Sequence, residues 1–194
     1  MKIAVLGDIH GNVRALEAVL VEAEKADCER IFHTGDLVGH GPHSNETIDL
    51  IRARHIEGVR GELDVDAAET AGSLGFSERH FLKNLPFSLR PALGGSAVSL
   101  FHASPVDLYQ PIEENTSEGR LEELADETGA DVFLFGHGLR PFHRIVGGRH
   151  FICAGSVGRP QDGDPRACLA IVDVDRNVTV EFRRVPYAVK DMGR

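Results

Sequence analysis

Short apolar runs, each closed by glycine and followed by a carboxylate or an imidazole, constrain this chain most. Lys2 to Leu6 ends at Gly7, with Asp8 and His10 just beyond, and Arg30 to Thr34 ends at Gly35-Asp36. Ile56 to Arg60 ends at Gly61, followed by Glu62 and Asp64. Runs this short and this apolar suit buried strands. Behind Asn12, a residue type that caps helices, Val13, Leu16, Val19, Leu20 and Ala23 recur at helical spacing. A second helix is expected around Glu46 to Arg54, with Ile48 and Ile51 inward. The resulting strand–helix–strand–helix–strand order predicts parallel α/β pairing.

The second half reads differently. Ser96 to Phe101 and Val132 to Phe135 are strand candidates, separated by a polar helix near Glu118 to Glu127 that Gly129 can end. After Pro141 the helical period vanishes. Phe142 to Val146, His150 to Cys153, Ala167 to Val172 and Val178 to Phe182 read as a meander that builds a second sheet. With 194 residues and no repeat or linker, one domain over residues 1–194 is expected: an α/β fold with a two-sheet core flanked by helices.

His102 closes the strand Ser96 to Phe101, and His137 follows Val132 to Phe135. Five strand exits thus each deliver a metal-ligand residue type. Ligands of α/β sheets bind outside the carboxyl ends of strands, where such exits converge. Taken singly, an aspartate in such a loop caps a turn and a histidine at a strand end is a core residue. Their joint placement argues for a metal site. Imidazoles and carboxylates without thiolates suit Mn, Fe, Zn or a similar divalent ion, and one carboxylate can bridge two ions about 3.5–4 Å apart. Cys28, Cys153 and Cys168 form no CxxC and read as reduced packing residues, which places the chain in the cytoplasm.

Charge narrows the partners. Lys plus Arg number 21 against 30 Asp plus Glu, a net −9, which argues against coating duplex nucleic acid but permits a small phosphorylated substrate. No apolar run reaches the roughly 18 residues of a membrane span, so no membrane partner is expected. Self-association into a homo-oligomer stays open.

At this point the chain resembles the calcineurin-like metallophosphoesterase family, and within it the compact prokaryotic phosphodiesterases. The matching pieces are Gly7-Asp8-Ile9-His10-Gly11-Asn12, Gly35-Asp36-Leu37-Val38-Gly39, Gly61-Glu62-Leu63-Asp64, Phe101-His102-Ala103 and Gly136-His137-Gly138-Leu139. Gly41 to Glu46 and Gly155 to Arg166 add to the likeness. The resemblance implies a four-layer α-β-β-α sandwich of two mixed sheets, with a centre for two divalent ions (Mn, Fe, Zn or Ni) at one edge. It implies that Asp8 and His10 hold the first ion, that Asp36 bridges, and that His102 and His137 hold the second, with Glu62 as a further ligand. A hydroxide bridging the ions would then hydrolyse a small phosphodiester or phosphomonoester by in-line attack.

Three positions differ from the family's pattern. Glu62 stands where the family has Asn, Leu139 where it has a second histidine, and Leu63 where many members carry an imidazole or thiol. His40 or His43 is the substitute candidate for proton donor. Asn12, Arg140 and Arg159, together with Arg166, are candidates to grip substrate; His143 could replace the missing imidazole only if its loop were rearranged. Three functions follow: an active hydrolase, a catalytically weak metal protein that binds or senses a phosphorylated ligand, or a scaffold for protein contacts. The five retained ligand types favour the first two.

Overall fold

In a computed structural model of the chain, which describes residues 1–188 apart from 71, 139 and 176, β1 (Lys2–Leu6) is buried on both faces. Ala4 and Leu6 point into a core formed with helices, while Ile3 and Val5 point into a core shared with a second sheet. That double burial is why the run is apolar throughout instead of alternating.

The chain continues through α1 (Val13–Lys25), β2 (Arg30–His33), α2 (Ser44–Ala53), β3 (Glu57–Gly58), α3 (Glu62–Glu69) and α4 (Phe76–Lys83). As the sequence predicts, β1, β2 and β3 pair in parallel. Asn12 caps α1, its side chain accepting from the Ala15 N–H. The third strand is shorter than the expected Ile56 to Arg60, and α3 begins directly at Glu62, one residue beyond the strand-exit glycine. Neither α3 nor α4 carries a strong sequence signal; each is only eight residues long.

Next come β4 (Ser88–Leu89), β5 (Ala92–Leu93), β6 (Ser96–Phe101), α5 (Glu118–Thr128), β7 (Val132–Phe135), β8 (Phe142–Val146), β9 (Arg149–Cys153), β10 (Ala167–Asp173) and β11 (Thr179–Val185). Gly129 ends α5 in the left-handed conformation at φ 63°. One sheet runs β11-β10-β1-β2-β3, and the other runs β4-β6-β7-β9-β8, with β5 on β6. The C-terminal strands therefore do not form the expected meander. β8 and β9 form a hairpin that joins β7, whereas β10 returns to pair antiparallel with β1 and carries β11 with it. Both sheets are mixed.

Three apolar cores separate four layers. Side chains of α1, α2 and α4 pack on β1 and β10, the two sheets bury Val5, Phe32, Leu100, Leu134 and Val172 between them, and α5 packs on Phe101, Phe133, Phe135 and Phe151. This is the α-β-β-α arrangement that the resemblance implies. It aligns the carboxyl ends of β1, β2, β6 and β7 at one edge.

His33, at the end of β2, is fully buried with no hydrogen-bond partner at either ring nitrogen among the described residues. Burial alone pushes its imidazole down to about 3, because the charged form is poorly solvated there. The folded chain resists a proton that the unfolded chain accepts. This contribution to stability is therefore complete above about pH 6.5 and is lost as pH falls toward 3, by up to about 1.4 kcal/mol per unit. In urea unfolding, His33→Leu is expected to lose about 1–2 kcal/mol less than the parent between pH 7 and pH 5; equal losses would contradict this.

Candidate metal centre

Each expected ligand sits where a buried strand stops. Asp8 and His10 leave β1, Asp36 leaves β2, His102 leaves β6 and His137 leaves β7. Asp8, His10, Asp36 and His137 all have positive φ, between 34° and 57°. Non-glycine residues rarely adopt that conformation, and its cost is sustained only where the surroundings fix it. Here backbone bonds do so: the Ile9 and His10 N–H groups both donate to the Asp36 carbonyl at 2.9 and 2.8 Å, and the His137 N–H donates to Asp8 Oδ1 at 3.1 Å.

Two glycines make room for this. A Cβ at Gly61 would overlap the Asp36 carboxylate, and one at Gly136 would overlap the Thr34 hydroxyl and crowd Asp8. At these two exits glycine is therefore a condition for the neighbouring ligand to reach the centre.

Glu62, His102 and His137 converge most tightly. Glu62 Oε2 lies 2.5 Å from His102 Nε2 and 3.0 Å from His137 Nδ1, and the two imidazole nitrogens are 3.0 Å apart. Among the described residues they form the group whose donor atoms could close on one cation. His102 Nδ1 is 2.7 Å from the Thr34 carbonyl oxygen. A carbonyl can only accept, so Nδ1 carries a hydrogen there and Nε2 is aimed at Glu62, the orientation that holds an imidazole ready for a metal. Asp36 lies between this trio and His10, with Oδ1 3.8 Å from His102 Nε2 and Oδ2 3.9 Å from His10 Nδ1. The donor set fits a divalent cation: oxygen and imidazole nitrogen, and no thiolate.

The electrostatics point the same way. Burial pushes Asp36 up to about 9, with the negative charges of Asp64, Asp8 and Glu62 adding to it despite His102. Burial also opposes charge on Glu62 and His102, yet their contact reverses the outcome. Glu62 falls well below the usual carboxylate range and His102 rises to about 9. A cluster that holds a proton on an imidazole to balance its carboxylates is short of positive charge.

Asp64, of a ligand type at a strand exit, is a bracket instead. It is wholly buried and accepts from the N–H groups of Leu37, Val38 and Gly61 at 2.8, 3.2 and 3.0 Å. It thus fastens the Asp36 loop to the start of α3, where Glu62 begins. Leu63 N–H donates to Asp36 Oδ1 at 3.0 Å, a second tie between the two.

The remaining candidates divide. A cavity of about 220 Å³ over the centre is lined by His40, Leu63, Arg159 and Gln161 as well as by all the expected ligands except His102. His40 stands edge-on to His10, ring centroids 5.0 Å apart, whereas His43 flanks α2 beside Glu46 at 3.6 Å. Arg140 lines an adjoining cavity. Arg166 is held by Asp164 in the same loop. Asn12, expected at the substrate, is buried and committed at both ends: it caps α1 and donates to the Gly158 carbonyl and the Tyr187 hydroxyl. His143 pairs with His150 across the β8–β9 hairpin at 3.0 Å, and Leu139 lies outside the described residues. Cys28, Cys153 and Cys168 are free thiols.

The calcineurin-like phosphoesterase superfamily domain matches residues 1–177. The chain belongs to that superfamily. It is similar to an uncharacterized protein of Methanocaldococcus jannaschii, 29% identical over 97% of this chain and 88% of that one. Its fold superposes on a metallophosphoesterase from Sphaerobacter thermophilus with a TM-score of 0.84 at 25% identity, covering 99% and 91% of the two chains. A hypothetical protein from Pyrococcus horikoshii gives 0.87 at 22%, covering 98% and 90%.

Removing the bracket separates placement from ligation. Asp64→Asn presents an N–H₂ to a ring of backbone donors and is expected to cost about 1–3 kcal/mol in urea unfolding. It is also expected to weaken Mn binding roughly 10–100-fold, as lost support for a ligand does. Unchanged affinity with unchanged stability would show that Asp64 holds nothing in place.

Proposed function

We propose that the chain is a metal-dependent phosphoesterase that hydrolyses a small phosphorylated substrate at the edge where the two sheets meet. The observation that carries this is the convergence of Glu62, His102 and His137 within 2.5–3.0 Å of one another, with Asp36 set between them and His10. A divalent ion bound there supplies a Lewis acid for phosphoryl oxygens and lowers the pKa of its water.

The chain's own residues account for the rest. Glu62, His102 and His137 would hold one ion and Asp8 and His10 a second, with Asp36 shared by both. Arg159, on the cavity wall, offers a guanidinium fork to a phosphate oxygen. His40 lines the same cavity while remaining open to solvent, which suits a group that must give a proton to a departing alcohol and recover one from water. Leu63, also on the wall, has no proton to give.

Metal content and turnover test the reading together. Purified protein incubated with Mn is expected to retain two ions and to hydrolyse bis(4-nitrophenyl) phosphate. Asp36→Asn is expected to lower kcat/KM at least about 100-fold, because the variant removes a shared anionic ligand and its support. One ion without turnover would point to a protein that binds a phosphorylated ligand without cleaving it. No ion at any pH would leave the fold as a scaffold.

A further inference from the structure

The cavity over the centre does not stand alone. A larger one, about 640 Å³, adjoins it and shares two of its walls, His137 and Gln161. The smaller volume falls below the roughly 300–1,000 Å³ of small-molecule sites and the larger lies well inside that range. Pro111, Ile112 and Phe142 supply the apolar surface of the larger bay, and Asn115 and Arg140 supply polar groups. Ile112 and Phe142 are firmly set in the core around α5.

The bay's outer wall is fixed before anything binds. Ile112 N–H donates to the Ala103 carbonyl, immediately after His102. Ser104 and Asp107 close the intervening loop on each other. The Arg144 guanidinium on β8 donates to the carbonyls of Glu114 and Thr116, pinning the far end. A wall ordered in this way spends little entropy on an incoming group.

We infer that the bay receives the second organic arm of a phosphodiester, and that this arm is large and carries no further charge; the inference rests on the phosphoesterase reading above. A monoester has no second arm to place there. The bay meets the centre at His137, whereas His40 lies beside His10 and lines only the smaller cavity. The leaving alcohol therefore departs on the His40 side and the retained arm lies in the bay. Glu113 and Glu114 line it with Arg140, while the Arg144 guanidinium is spent on the backbone carbonyls of Glu114 and Thr116, a balance that disfavours an arm bearing additional phosphate.

Two esters with one leaving group isolate the effect. Thymidine 5′-(4-nitrophenyl) phosphate and methyl 4-nitrophenyl phosphate differ only in the retained arm. With Mn-loaded protein, the thymidine ester is expected to show roughly tenfold or greater kcat/KM over the methyl ester, within the range that apolar pockets discriminate. A 3′-phosphate on the thymidine is expected to erase that advantage. Asn115→Trp, at an exposed loop position, narrows the bay and is expected to bring the ratio of the two esters close to one. Equal kcat/KM for both esters in the parent protein, or a ratio unchanged by Asn115→Trp in a variant with the parent's Tm, would overturn the bay assignment and leave the phosphoesterase reading standing. Failure to cleave either ester would overturn that reading itself.

Discussion

Negative charge crowded into a corner with little water is the constraint around which this molecule is arranged. Asp8, Asp36 and Asp64 are each at most 2% exposed, and Glu62 reaches in beside them. Three carboxylates of this kind would repel one another and each would forgo its hydration. The fold answers in two ways. Asp64 accepts from three backbone N–H groups, which offset part of the burial that raises its carboxyl to about 6. The others face imidazoles, and the proton held between Glu62 and His102 stands where a cation would serve better. The bracket and the cation site are thus two solutions to one electrostatic problem, placed a few ångströms apart.

Meeting that constraint requires backbone that ordinary packing would not produce. Four site residues hold left-handed conformations, and each is secured by hydrogen bonds whose partners come from a different strand exit. The β1 exit is held by Asp36, and the β7 exit is held by Asp8. Distortion at one exit would therefore be felt at the others. Double burial of β1 and β10 anchors the whole edge, because neither strand can slide without exposing one of two cores.

Much of this was legible in the chain. Apolar runs, closed by glycine at β1, β2 and β7 and by His102 itself at β6, locate the strand ends, and the residues there are those that converge. The long-range partner of Ala167 to Val172 was less visible. That stretch is apolar at nearly every position, the mark of a strand covered on both faces, whereas a meander edge would alternate; the run itself is compatible with either sheet. Residue type alone does not fix the role at two places. Asn12 is a polar residue in a loop rich in ligands, but its amide is used to join the start of α1 to the Gly158 loop. Asp64 has the chemistry of a ligand, yet it sits two residues beyond Glu62 at the start of a helix, where an acid turns back to the N-terminal N–H groups. Helix α3 is too short to announce itself, so the sequence could not separate those two roles.

Glu62 has a consequence for substrate choice that follows from charge alone. With neutral imidazoles, Asp8, Asp36 and Glu62 contribute three negative charges. Two divalent ions held as proposed, with a hydroxide between them, would leave the centre neutral, against +1 if residue 62 were neutral. A phosphodiester brings one negative charge and a phosphomonoester near neutral pH brings close to two. Such a centre would oppose the monoester dianion more than the diester, and in a site of low polarisability that difference would not be well screened. Glu62 would therefore weaken the centre as an electrophile while favouring the substrate class proposed for the adjoining bay. On the proposed reading, volume and charge, read from different residues, would favour the same ester.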